Sequence, residues 1–447
     1  MAACVIRFEL LRGVIGLGSI RLAGLLSGLI LNVVLARSME PAAFGSLALY
    51  LALIAILSAV SSGGATPFLT RGVATAVAGN PGRQTAPVPL RGLLLLLALG
   101  SLLLAAMVYG LLQAGFLPPL AKADGEARPL STSLLIAVGL CAFGVLAMVC
   151  GILRGAGKPV AGDLPSNVAL PVLLVVGIVV FQPLITADPF VTFAAYVGVA
   201  VVVSLIAAAC AVGWSGGSVV SPAARARPDA PVALLRTLLP FLALATVGAA
   251  SMHAGTVMVG IFAGEEATAT YRVADRVAAL VSVPLVVVNA IIGAEIARGY
   301  QAGDAQSVRR LVSRARRISI GIAVPLCVGF FLLGSDLVAT LFGEAYSRDI
   351  HPTLAILATG HLINVACGSV GLALMMGGHE RLVLREQSLA IFVALFALPP
   401  AIILWGEAGA AAVVAGTMAL WNIRLLRRLD STLATAAGEA RGPGHVG

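Results

Sequence analysis

Charge is what this chain has least of. Only 11% of its residues are Asp, Glu, Lys or Arg, against roughly 25% in an ordinary soluble domain, and that is too little polar surface to coat a water-soluble globule. Its six cysteines include no CxxC pair and no Cys/His metal spacing, and all but Cys4 fall in apolar stretches. Neither a disulfide framework nor a zinc site is implied. His253 and His361 are lone histidines on apolar helices with no second ligand at i+4, and they read as buried, hydrogen-bonded side chains. The run from Gly151 to Pro159 resembles a phosphate-binding loop, but residue 156 is Ala and residue 159 is Pro, so the pattern of an ATPase is not satisfied. No polar stretch is long enough to fold as a domain of its own. No catalytic residue, cofactor or metal is therefore expected, and the chain is not read as an enzyme.

What fills the sequence is apolar residue, 59% of the total, arranged in runs long enough to cross a bilayer, for which a helix needs about 20 residues. Twelve such runs are predicted, at 10–36, 43–70, 90–117, 130–153, 163–186 and 188–213 in the first half. The second half carries them at 237–263, 267–297, 317–342, 350–376, 382–405 and 407–426. Hydrocarbon offers the backbone no partner, and uninterrupted runs of this length exclude the weak alternation of a membrane barrel. The expected fold is all-α and polytopic. Arg7 and Arg12 precede a first run that is too long for a cleavable signal and lacks a convincing cleavage site, so the first helix is expected to be retained.

The net charge of +9 does not form a basic face with aromatic platforms, so nucleic acid is not an expected partner. The basic residues sort by side instead. With the N-terminus in the cytoplasm, the tails and even-numbered loops hold 22 of the 29 Lys and Arg residues, five of them (Arg309, Arg310, Arg314, Arg316 and Arg317) in what reads as one loop. This asymmetry predicts that both termini are cytoplasmic.

The second half repeats the plan of the first. Glu40, in the turn after the first helix, matches Glu265 after the seventh at an offset of 225. Gly79-Asn80 matches Gly303-Asp304 at 224, and Gly157-Lys158-Pro159 matches Gly378-His379-Glu380 at 221. A repeat of six helices preserves orientation, so two pseudo-symmetric six-helix lobes are expected at 1–222 and 223–428, followed by a disordered cytoplasmic tail at 429–447. Parallel repeats of this kind suit alternating access between lobes.

These residues resemble a known family. The segment from Gly18-Ser19-Ile20-Arg21 to Ala36-Arg37, the acidic-then-Phe44-Gly45 turn, the Arg71-Gly72-Val73-Ala74 exit from helix 2 and the turn Leu153 to Pro159 are similar to the polysaccharide flippases of the multidrug/oligosaccharidyl-lipid/polysaccharide exporter superfamily. The resemblance implies a flippase in the bacterial inner membrane that moves undecaprenyl-pyrophosphate-linked oligosaccharide. It also implies that helices 2 and 8 line the cleft between lobes, with membrane lipids, a coupling ion and other polysaccharide-pathway membrane proteins as further partners.

Polar residues inside the apolar runs then become candidate contacts. Arg21 lies roughly 10 to 16 Å along the first helix from its cytoplasmic end, where an arginine costs about 2.5 to 3.5 kcal/mol. Either it snorkels to the headgroups, or it faces a hydrated cavity where its planar fork suits a pyrophosphate oxygen. Gly18, Gly24 and Gly28 nearby favour the second reading by allowing close helix packing. Arg272, Asp275 and Arg276 share one side of helix 8, either as a structural ion pair or as a net positive substrate site. Asn32 and Asn289 either touch sugar hydroxyls or bridge helices. Helices 1, 7 and 10 carry no Asp or Glu in their apolar interiors, which favours anionic cargo over the alternative of a cation-coupled multidrug exporter. A polymerase or ligase would need a large extracytoplasmic loop that the sequence lacks. A non-transporting component of a polysaccharide assembly machine is a third reading.

Arg71 and Glu295 stand 224 positions apart at equivalent helix ends and carry opposite charge. They are a candidate cytoplasmic gate, worth about 0 to 1 kcal/mol when wet, or else two separate headgroup anchors. If they form a gate, Arg71→Glu or Glu295→Arg alone should cut surface polysaccharide in a complemented strain, and the double reversal should restore it. Additive damage in the double reversal would leave them as anchors.

Overall fold

The computed structural model describes residues 2–79, 90–118, 129–182, 188–215 and 231–439. Among these residues the chain is helical throughout its regular structure, without strands. Eleven stretches are long and apolar enough to cross a membrane. The last, Glu380–Leu429, holds 50 residues, about 75 Å of continuous helix at 1.5 Å per residue and more than twice the roughly 30 Å hydrocarbon core. It is not continuous. Trp405 and Gly406 leave helical geometry, with Gly406 at φ 58°, a left-handed value that glycine adopts without a Cβ penalty. The stretch therefore makes two crossings, and the described residues hold twelve.

These crossings are α1 (Ala2–Ser38), α2 (Pro41–Ser61 continued by Ala65–Gly79), α3 (Leu90–Gln113), α4 (Pro129–Gly155), α5 (Pro159–Val180) and α6 (Pro189–Ser215). They continue as α7 (Pro231–Phe262), α8 (Glu265–Gln301), α9 (Ala305–Phe342), α10 (Ile350–Cys367 continued by Val370–Met376), α11 (380–404) and α12 (407–439). The protein is thus a multi-pass, all-α membrane protein with two six-helix halves.

Several helices differ from their hydropathy limits for identifiable reasons. The basic stretch Arg309 to Arg317 is not a loop but the first turns of α9, which begins at Ala305 behind an Asp304 cap that accepts a hydrogen bond from the Ser307 N–H at 2.8 Å. Hydropathy marks the edge of the bilayer, whereas arginine is a good helix former and lets the helix continue into water. For the same reason α12 continues through its Ala-rich end to Glu439, into the stretch expected to be disordered. Residues 440–447, and Asn80 of the repeat landmarks, lie outside the described residues. Helix α2 is interrupted at Ser62-Gly63-Gly64, where both glycines have positive φ, and α8 tightens to a 3-10 turn at Ala279–Ser282 before Pro284.

By packing, the chain forms one unit from Ser19 to Ala269 and another from Met1–Gly18 with Thr270–Gly447. This division is not the expected 222/223 boundary. Helix α7 belongs with the first unit because it runs along α2 at backbone distance. A Cβ on Gly64 would lie 2.3 Å from the Phe241 carbonyl carbon, and one on Gly260 would lie 2.9 Å from Leu49. Within that unit α4 is the central helix, packed against α2, α3 and α6. Its meeting with α2 is a small-residue seam: the Thr66 and Thr70 hydroxyls donate to the Ala147 and Gly151 carbonyls at 3.0 and 3.1 Å. A Cβ on Gly151 or Gly155 would lie 2.7 Å from the carbonyl oxygens of Thr66 and Thr70. Gly151 and Gly155 of the loop-like run are therefore packing residues, whereas Gly157 serves the turn after α4 with φ 76°.

In the other unit α10 packs against α9 and α12, with Gly360 seated on Ala415. A core of Ile296, Val308, Val370, Leu374 and Leu425 closes one end of that unit.

Reporter fusions placed after Ala263 and after Gly447 should report opposite sides of the membrane, as an odd number of crossings between the two sites requires. Two reports from the same side would remove either the break at Gly406 or another crossing from the topology.

Candidate substrate site

Helices α1 and α5 cross where Gly24 lets Asn167 come in. A Cβ on Gly24 would lie 2.9 Å from that of Asn167, and the Ser27 hydroxyl donates to the Asn167 carbonyl at 3.2 Å. That carbonyl is open because the residue four places on is Pro171, which has no N–H to donate, and the turn Pro165–Ala169 is a π turn. Of the three glycines expected to give α1 a close-packing side, Gly24 meets a neighbour; Cβ atoms at Gly18 and Gly28 would have none within 4 Å among the described residues. One turn below the crossing, Arg21 on α1 faces Asp163 on α5.

Asp163 is buried, and its Oδ1 takes both the Nε and the Nη2 of Arg154 at 2.6 Å. Its Oδ2 lies 3.8 Å from the Nε of Arg21, whose side chain is 43% exposed. Arg154 reaches this position because it stands on the last turn of α4, and α5 comes back over it at Gly162, where a Cβ would lie 2.7 Å from the Arg154 side chain. Two guanidinium groups share one carboxylate, so the cluster retains one positive charge.

The second unit holds a comparable arrangement. Arg272, Asp275 and Arg276 follow one another on α8, with Arg272 buried and the Arg276 Nη2 3.3 Å from the Asp275 Oδ2. Again two arginines accompany one aspartate. At the 3-10 break of the same helix, the Ser282 hydroxyl meets the Nδ1 of His361 at 2.9 Å and accepts from the Asn364 amide at 3.4 Å. These bonds tie the break in α8 to α10 and give His361 the hydrogen-bonded setting expected of a lone intramembrane histidine.

The other candidates are more dispersed. The Asn32 amide donates to the Gly28 carbonyl of its own helix at 2.7 Å and is buried. The Asn289 carbonyl oxygen is buried without a hydrogen-bond partner among the described residues. Arg71 and Glu295 are both exposed and belong to different units.

Sequence reasoning missed the two buried carboxylates. Glu386 on α11 is 2% exposed and is gripped by Arg424 of α12, whose Nε donates to Oε2 and whose Nη2 donates to Oε1. Positions 163 and 386 are 223 apart, within the drift of the repeat, so each half buries one acid in the early turns of its fifth helix. That shared offset was the available signal. It was obscured because hydropathy started these helices at 163 and 382, placing both acids at the headgroups, whereas they begin at Pro159 and Glu380.

The family model for "Polysaccharide biosynthesis protein" matches residues 10–296, nearly two thirds of the chain. The chain belongs to this family. No curated protein matches it in sequence. Among solved structures, an inward-facing multidrug resistance MATE family transporter of the MOP superfamily superposes with a TM-score of 0.69 at 15% identity, over 94% of this chain and 99% of that one. A Vibrio cholerae MATE transporter, VcmN, gives 0.65 at 14%, over 96% and 98%. A MOP superfamily transporter from Pyrococcus furiosus, described as having a binding pocket of reverse polarity that suggests a different function, gives 0.63 at 15%, over 95% and 96%. At these identities the likeness carries the fold alone: this member of the polysaccharide family shares the fold of those three structures.

The Glu386–Arg424 pair makes a direct stability prediction. Arg424→Ala leaves a buried carboxylate alone and should destabilise the protein by about 3–5 kcal/mol, read as a fall in thermal midpoint in detergent. Glu386→Gln, which leaves only the half-exposed arginine, should cost less. An unchanged midpoint for Arg424→Ala would mean that water reaches Glu386.

Proposed function

We propose that the protein is a flippase that carries lipid-linked oligosaccharide, with undecaprenyl pyrophosphate as its anchor, across the bacterial inner membrane by alternating access. The observation that carries this reading is the charge of the cluster formed by α1, α4 and α5, where two arginines share the single carboxylate of Asp163. A site for a cationic drug needs surplus carboxylate; this cluster has surplus guanidinium. Guanidinium presents paired donors in a plane that matches phosphate oxygens and keeps its charge at every physiological pH. Arg21, Arg272 and Arg276 would hold the pyrophosphate, while the polyprenyl chain stays in lipid and Asn32 and Asn289 are available to sugar. Membership of the polysaccharide biosynthesis family supports this cargo over the multidrug alternative. The pattern of basic residues supports cytoplasmic termini.

Arg21→Ala, Arg272→Ala and Arg276→Ala should each reduce translocation of a lipid-linked sugar by reconstituted protein by about tenfold or more, in line with loss of a charge-assisted hydrogen bond. Lys at the same positions should restore part of it, because a point charge lacks the bidentate fork. Undiminished translocation by the triple Ala variant, inserted and accumulated normally, would reject these arginines as the cargo site. Binding of labelled lipid-linked sugar without translocation by the unaltered protein would favour a non-transporting role in polysaccharide assembly.

A further inference from the structure

The two buried acids at repeat-equivalent positions are held differently. Glu386 has both oxygens on one guanidinium, that of Arg424 on the neighbouring helix α12. Asp163 divides its oxygens between two helices. Oδ1 is bound tightly by Arg154 on α4, and Oδ2 stands 3.8 Å from the Arg21 Nε on α1. A charge-assisted N–H···O bond is normally about 2.7 to 2.9 Å long, so the second contact is an ion pair without a full hydrogen bond. The side chain of Arg21 is also 43% exposed, so part of a side chain that carries five donors stays open to a further acceptor. Its backbone, by contrast, is fixed by the close approach of Gly24 to Asn167 and by the Ser27 hydrogen bond. Arg21 is therefore an arginine whose position is held and whose partner is loose.

We propose that Asp163 is a positioning residue that stands in for the cargo: its carboxylate holds Arg21 at the α1–α5 crossing while no ligand is present, and yields it to an incoming phosphate or pyrophosphate group. Arg154 keeps the carboxylate in place and draws off part of its charge, so that Arg21 is steered without being captured. The proposal rests on the anionic-cargo reading above and adds the residue that tunes it. A carboxylate beside a phosphate-binding arginine otherwise only opposes binding. Here it prevents the guanidinium from snorkelling to the headgroups, a cost recovered when the anion takes its place.

The test is binding of farnesyl pyrophosphate to the purified full chain in lipid nanodiscs, by calorimetry at low ionic strength. Asp163→Asn removes the competing charge and should tighten binding about fivefold, the size of a partly exposed ion pair. The gain should vanish when Arg21→Ala is also present. Arg154→Gln should have the opposite sign and weaken binding, because the full charge of Asp163 then falls on Arg21; this variant carries the test if Asp163→Asn fails to accumulate. A merely structural role would make both changes weaken binding, and that result overturns the proposal. So does a gain from Asp163→Asn that survives loss of Arg21, or binding indifferent to both residues. Absence of binding by every form, the unaltered chain included, would remove the anionic-cargo reading itself and this proposal with it.

Discussion

A charge inside a membrane has to be paired, watered or absent, and the organisation of this protein follows from that requirement. Removing one partner from a buried pair costs about 3–5 kcal/mol, and a lone arginine at mid-bilayer costs nearly as much to insert. The chain meets the constraint by carrying very few charges in its spans and by giving its buried acids counterparts on neighbouring helices. Asp163 has Arg154 and Arg21, and Glu386 has Arg424. Each acid thereby fastens helices that small residues have already brought to backbone contact.

Those close contacts are the second element. Lipid tails are as apolar as leucine, so helices in a bilayer gain little from burying apolar surface against each other and depend on packing and hydrogen bonds. The seam between α2 and α4 shows both, with Gly151 and Gly155 letting α2 approach so that the Thr66 and Thr70 hydroxyls donate to the Ala147 and Gly151 carbonyls. The same seam sets the end of α4, hence the place of Arg154, hence the carboxylate that Arg21 faces. A packing motif that ends at Gly155, beside Arg154, thus determines the electrostatics of the candidate site.

Helix breaks are the third. Helix α2 is interrupted at Gly63-Gly64, α8 at Ala279–Ser282 and α10 at Gly368, and α5 contains a π turn beside Asn167. In hydrocarbon an open backbone group is tolerated only where a side chain or cavity satisfies it. The break in α8 is tied to α10 through Ser282, His361 and Asn364, and the π turn is met by Ser27. Regular helix between these points can move as stiff rods.

The sequence by itself determined the class of molecule and the number of crossings, and it singled out Arg21, Arg272 and Arg276 as candidates, because hydropathy and residue type are properties of a linear segment in lipid. It could not locate the helix ends that lie in water, as at Arg309 to Arg317, since bilayer thickness leaves no mark there. Nor could it reveal that Asp163 and Glu386 are buried, that among the described residues Gly24 meets a neighbour while Gly18 and Gly28 do not, or that α7 packs with the first unit. Those outcomes depend on which faces of different helices meet, and a helical position acquires a partner only when the crossing that supplies it has formed.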